Sequence, residues 1–134
     1  MEHRPEVRRT ERVVRIGCLL GGALLAGIGI RYLFVPEAAT LTFGVGKRPQ
    51  GFELYYITGL RNIWLGALAV ALAAWREWRA LALWFGTGAL VCFADAAIAA
   101  SSAGRWPHIA FHAGSGIACL VLAAGAWRLT HRQR

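Results

Sequence analysis

Negative charge is scarce in this chain. Of its 134 residues only seven are Asp or Glu, and the single aspartate, Asp95, lies inside a long apolar run. A mechanism that needs a second buried acid has none on offer there. Cysteine is also sparse: Cys18, Cys92 and Cys119 all fall in apolar runs and none forms a C-x-x-C pair. Cys18 lies toward one end of its run and the other two lie elsewhere, so the three read as small packing residues rather than a disulfide-exchange centre. No phosphate-cradling glycine loop, P-loop or nucleophile elbow occurs. Charge of either sign is thin, at 16% of residues against 57% hydrophobic. A soluble domain of this length has more polar surface than that to cover its core. The net charge of +8 suggests nucleic acid, but no basic stripe with interleaved aromatics accompanies it, and nucleic acid is not an expected partner. The arginines read instead as topology signals and contacts to anionic membrane lipid.

What is present is four apolar segments. Ile16–Val35, Leu54–Trp75, Ala80–Ala100 and Pro107–Trp127 each approach the roughly 20 residues that a bilayer crossing requires. Two short connections and one of eighteen residues, Pro36–Glu53, join them. Short connections force antiparallel neighbours, so the expected fold is all-α, an integral membrane four-helix bundle running up and down. The bundle domain covers 16–128, flanked by basic tails at 1–15 and 129–134. Trp75, Trp78, Trp106 and Trp127 stand at the expected interfaces.

The stretch Gly59–Val70, "GLRNIWLGALAV", carries Arg61 and Asn62 in its apolar run. If the second span began after Asn62, the remaining run would be roughly 20 Å long, short of the ~30 Å hydrocarbon core. The span therefore starts near Leu54, which places Arg61 about two turns below the surface. Orientation follows from the flanking cations. With the N-terminus inside, one side holds ten arginines (Arg4, Arg8, Arg9, Arg12, Arg15, Arg76, Arg79, Arg128, Arg132, Arg134) against Lys47, Arg48 and Arg105 on the other. Both termini are thus expected to be cytoplasmic, in a bacterial inner membrane. A cleaved signal peptide is not expected, since Tyr32, Phe34, Pro36 and Glu37 stand where small residues would be needed.

Depth then brings the unusual residues together. Arg31, Arg61, Asp95 and His112, on four different spans, all fall in the outer third, with His108 one turn above His112. Charges in lipid are costly, and pairing Asp95 with Arg31 or Arg61 inside the bundle offsets that cost. Helical spacing agrees: Gly88, Cys92, Asp95 and Ala99 share one stripe, and His108, His112, Ser115 and Cys119 share another. Gly59, Asn62 and Gly66 extend the pattern on the second span, and Tyr55 adds a hydroxyl near the mouth. The candidate ligand-binding set is Arg61, Asp95, His112, Arg31, Asn62 and Tyr55. With neutral histidines, Arg31, Arg61 and Asp95 leave one excess positive charge, which favours an anion. A small anionic or amphipathic molecule, such as a lipid headgroup or carboxylate, is the leading ligand class. The other two readings are a cluster that serves assembly in a structural or transport-associated subunit, and an acid–base enzyme using Asp95 and His112 for isomerisation or cyclisation. His108 and His112 have metal-compatible spacing, but without a zinc-protease glutamate after His108 no metal or cofactor is expected. Gly17 and Gly21 match a small-xxx-small packing face, and homo-oligomerisation through such faces is open.

The first connection, "VPEAATLTFGVGKRPQGFE", holds its own signal. Pro36 opens a short helix and Gly44 closes it, giving an interfacial element over about 36–44 that covers the polar end as a lid or a simple cap. Together, "RYLFVPEAATLTFGV", "GLRNIWLGALAV" and "FADAAIA" resemble an uncharacterised family of small four-helix bacterial membrane proteins, a domain-of-unknown-function family, more remotely similar to DoxX-like proteins. The resemblance implies fold and location but no activity. Where that family's pattern has Gly-x-Arg-Asp, this chain has Gly59-Leu60-Arg61-Asn62. Asn62 hydrogen-bonds but supplies no acid–base chemistry near neutral pH.

Overall fold

The computed structural model describes residues 4–44, 51–102 and 104–132. Among these the protein is all-helical: α1 (Arg4–Phe34), α2 (Pro36–Phe43), α3 (Glu53–Trp75), α4 (Trp78–Ser101) and α5 (Trp106–Arg132). Four of the five are long and apolar enough to cross a membrane. The expected spans match α3, α4 and α5 to within a few residues. The first differs. α1 starts at Arg4 rather than at Ile16, because nothing between the basic segment and the apolar run breaks a helix. Its 31 residues extend roughly 46 Å, so the exposed Arg8, Arg9 and Arg12 ride on a helical extension of the span.

The four long helices run antiparallel, so the start of α1 and the end of α5 lie at one end, here the terminal end. The opposite, distal end carries α2. Packing is uneven: α1 lies closely along α3 and α4 along α5, while the two pairs meet less extensively. Glycine explains the first seam. A Cβ on Gly66 would sit 2.5 Å from the Gly22 carbonyl oxygen and from the Ala26 nitrogen, and one on Gly29 would sit 2.5 Å from the Gly59 oxygen. These obstacles are backbone, so the two helices touch main chain to main chain, as small residues permit in a membrane. Gly17 and Gly21 form a packing face as well, of another kind. They receive side chains, Leu122 against Gly17, and Phe85 and Leu122 against Gly21, joining the two pairs rather than the two helices of one pair.

The pairs meet through an apolar cluster at the terminal end, formed by Val14, Cys18, Ala73, Trp78, Leu81, Ala82, Phe85, Ala126 and Leu129. Trp78 is 2% exposed. It is a core residue and not an interfacial ring, unlike Trp75, Trp106 and Trp127, which are exposed. The tight α3–α4 turn explains the difference. Arg76 adopts a left-handed conformation (φ 61°), and the Glu77 N–H closes onto the Leu72 carbonyl at 2.9 Å. That reversal swings Trp78 beneath the bundle. Arg15 of α1 donates to the Ala73 and Ala74 carbonyls at 3.3 and 3.4 Å, satisfying acceptors that the end of α3 leaves open. Glu11 and Arg76 form an ion pair at 3.4 Å.

Candidate functional site

At the distal end the apolar filling gives way to polar side chains. Tyr32, Ala39 and Tyr55, from α1, α2 and α3, are buried there, together with Thr40, His112 and the small Ala96 and Ala99 of α4. The Tyr32 and Tyr55 rings stack with centroids 6.3 Å apart. Asp95, half-buried on α4, lies within charge-interaction range of His112, Arg61 and Tyr32. Tyr32 is in turn within range of Arg31 and Tyr55. All four long helices thus contribute to one constellation. Tyr32 is a member that sequence reasoning missed. Its neighbour Arg31 drew attention by its charge, and a tyrosine in a membrane helix gives no comparable signal.

The six expected site residues are not equivalent in this setting. His112 and Tyr55 are buried, Asp95 and Asn62 half-buried, and Arg61 and Arg31 exposed on the bundle surface. The pairing of Asp95 with either arginine is not a contact ion pair. Among the described residues the only ion pair within 4.0 Å is Arg76 with Glu11, at the other end of the molecule. Arg31 reaches sideways and donates from Nη2 to the Thr42 hydroxyl at 3.0 Å. Arg61 is exposed, eight residues into α3 or roughly 12 Å from its start.

The helix α2 closes this end. Pro36 occupies its first turn and Gly44 ends it in a left-handed conformation (φ 96°), with the Gly44 N–H bonded to the Thr40 carbonyl. A carbonyl can only accept, so the 3.2 Å contact between His112 Nε2 and the Phe43 oxygen makes His112 the donor with its proton on Nε2. The bond satisfies an end carbonyl of α2, and the Phe43 ring rests on the imidazole at 4.4 Å between centroids. On the opposite side Thr42 holds Arg31. α2 is therefore pinned to α1 and to α5 at once. His108 has a different task from His112: its Nδ1 accepts the Arg105 N–H at 3.2 Å, capping the start of α5. Among the described residues no group of three His, Cys, Asp or Glu side chains is placed to hold a metal ion.

Residues 22–128 match the family described as a domain of unknown function, DUF4267. The chain belongs to the DUF4267 family. The match runs from the middle of α1 to near the end of α5, so the glycine seam, α2 and the whole distal constellation lie within the DUF4267 region. No curated protein and no solved structure matches the chain. The DUF4267 protein is thus a multi-pass helical membrane protein whose family carries no assigned activity.

Proposed function

We propose that the distal end of the bundle binds a small anionic or amphipathic molecule, with Arg61 supplying the charge. The observation that supports this reading most directly is the state of Arg61. It sits at the depth of the lipid chains, exposed, near Asp95 but without a contact ion pair among the described residues. A guanidinium there is costly until an anion meets it, and its planar fork suits a carboxylate or phosphate oxygen pair. Arg31, Arg61 and Asp95 leave one positive charge in excess. In this reading Asp95 orients Arg61, His112 and Asn62 add hydrogen bonds, and Tyr55 lines the mouth. The exposure of Arg61 also favours an amphipathic ligand over a free ion, since its apolar part can stay in the membrane.

The setting we infer is a bacterial cytoplasmic membrane with both termini inside and membrane lipid as the first partner. A homo-oligomer fits the exposed small residues Ala110, Gly114 and Ala118 along α5. The looseness of the Arg61–Asp95 relation argues against a purely structural bolt, which would close the pair. Native mass spectrometry of the protein in a mild detergent, wild type beside Arg61→Leu and Asp95→Asn, tests the reading. A specific anionic or amphipathic species retained by wild type and lost from folded Arg61→Leu is the expected result. Equal retention by folded Arg61→Leu would refute the assignment of Arg61.

A further inference from the structure

α3 and α4 meet far less extensively than α1 and α3, and both contribute to the terminal cluster. Along α3 a stripe begins at Arg61 and continues through Leu65, Leu68 and Leu72, four, seven and eleven residues further on. That spacing keeps all four on one face of the helix. Arg61 is exposed and the three leucines are half-buried. Leu72 packs against the terminal cluster, to which α4 contributes Trp78, Leu81 and Phe85. The stripe therefore runs toward the α3–α4 seam and ends where that seam is filled, roughly 16 Å along α3 from Arg61. Trp64, one turn beyond Arg61, is 63% exposed and lies eleven residues from each end of α3. That is the middle of the span, where an indole has no headgroup layer to meet.

We propose that this stripe holds a single-chain carboxylate lipid, a free long-chain fatty acid. Its carboxylate meets Arg61 and its alkyl chain runs inward along Leu65, Leu68 and Leu72. The inference rests on the reading of Arg61 as the anion-binding residue and names the class of its ligand. Charge is the first argument. Arg61 has no contact ion pair among the described residues, and its fork matches the two oxygens of a carboxylate. Depth then selects among anionic lipids. Arg61 stands eight residues into α3, roughly 12 Å from its start, and an arginine stretched toward the surface covers only part of that gap. A diacyl phospholipid meeting it there has to carry its glycerol and phosphate oxygens below the headgroup layer, away from water. A fatty acid has no polar group besides the carboxylate, which Arg61 meets. Width agrees: a single row of leucines matches one alkyl chain, with the exposed Trp64 ring beside it. Length agrees as well, since an apolar track of roughly 16 Å favours a long chain over a short one.

The test uses the full-length protein in nanodiscs of phosphatidylcholine, loaded with isotopically labelled oleate and read by native mass spectrometry. Wild type is expected to retain the label. Unlabelled oleate should displace it, while oleyl alcohol, octanoate and diacyl phosphatidylglycerol should each do so about tenfold less well, the scale of one lost charge-assisted contact. Leu68→Trp, which fills the track, should weaken retention by a similar factor. Leu60→Trp, on an exposed neighbouring face, should leave it unchanged. A second measurement needs no variant of the track. Stearate brominated at the middle of its chain should quench wild-type fluorescence more than that of Trp64→Phe. The outcomes separate the two claims. Equal oleate retention by folded Arg61→Leu removes both the anion-binding reading and this inference. If phosphatidylglycerol displaces oleate as well as oleate itself does, Arg61 still binds an anion but the carboxylate class is overturned. Unchanged retention by folded Leu68→Trp, or equal quenching of wild type and Trp64→Phe, overturns the path of the chain.

Discussion

Individual glycines in this protein differ by what faces them, and the difference is measurable. A methyl at Gly66 would press on the Ala26 nitrogen and the Gly22 oxygen at 2.5 Å, and neither backbone can move without parting α1 from α3. Gly66→Ala is therefore expected to destabilise the protein by about 1–3 kcal/mol. A Cβ on Gly27 or Gly114 would meet nothing within 4 Å. Gly27→Ala and Gly114→Ala should be neutral or stabilising by roughly 0.5–1 kcal/mol through backbone entropy alone. Unfolding in mixed micelles of increasing SDS content, followed by circular dichroism, ranks the three. If Gly66→Ala proved as stable as Gly27→Ala, the main-chain contact between α1 and α3 would be wrong. At the same scale, the two histidines one turn apart do separate work. His108 caps a helix start through Nδ1, and His112 grips a helix end through Nε2.

Among the elements, α2 depends most on its attachments. Eight residues make too short a helix to persist alone, so its order rests on Arg31, His112 and the left-handed Gly44. Gly44→Ala forces a Cβ into a positive-φ residue, costing about 1–2 kcal/mol, and sets it 3.0 Å from the His108 side chain. His112→Leu removes the donor to Phe43, worth about 1 kcal/mol. Hydrogen exchange at the α2 amides should quicken by about tenfold in Gly44→Ala, and several-fold in His112→Leu, while the centres of α3 and α4 keep their protection. Unchanged exchange over α2 in both variants would mean that these contacts do not hold it. As α2 lies over the distal constellation, the same loosening should weaken retention of any ligand bound there.

At the scale of the whole molecule, four spans put both ends of the bundle's chain on one side, and we propose from the arginine asymmetry that this side is the cytoplasm. Reporter fusions check both statements. Green fluorescent protein should fluoresce at either terminus, and alkaline phosphatase fused at either terminus should be inactive. Opposite signals from the two ends would remove one span from the count, and active phosphatase at both would invert the protein. The division into two closely packed pairs also gives the bundle an uneven interior. Side chains fill the terminal half, and polar groups with a short capping helix occupy the distal half. Binding, as proposed, belongs to the distal half.

The amino-acid sequence by itself determined the class of the protein. A run of about 20 apolar residues has few alternatives to a membrane helix, because lipid offers backbone groups no other partner. The four spans, the Pro36-to-Gly44 helix and the shared depth of Arg31, Arg61, Asp95 and His112 were accordingly legible in one dimension. Rotation and neighbour choice were not. Depth along an axis does not say which way a side chain turns about it, so Arg61 and Asp95 could be placed at one level but not joined. Their separation, the turn of Arg31 toward Thr42 and the burial of Trp78 were decided only by tertiary packing. The same is true of the place of Tyr32 beside Tyr55. Sequence spacing reports the face of a single helix, whereas these contacts arise from how helices approach one another, and along the α1–α3 seam Gly22, Gly29, Gly59 and Gly66 set that approach.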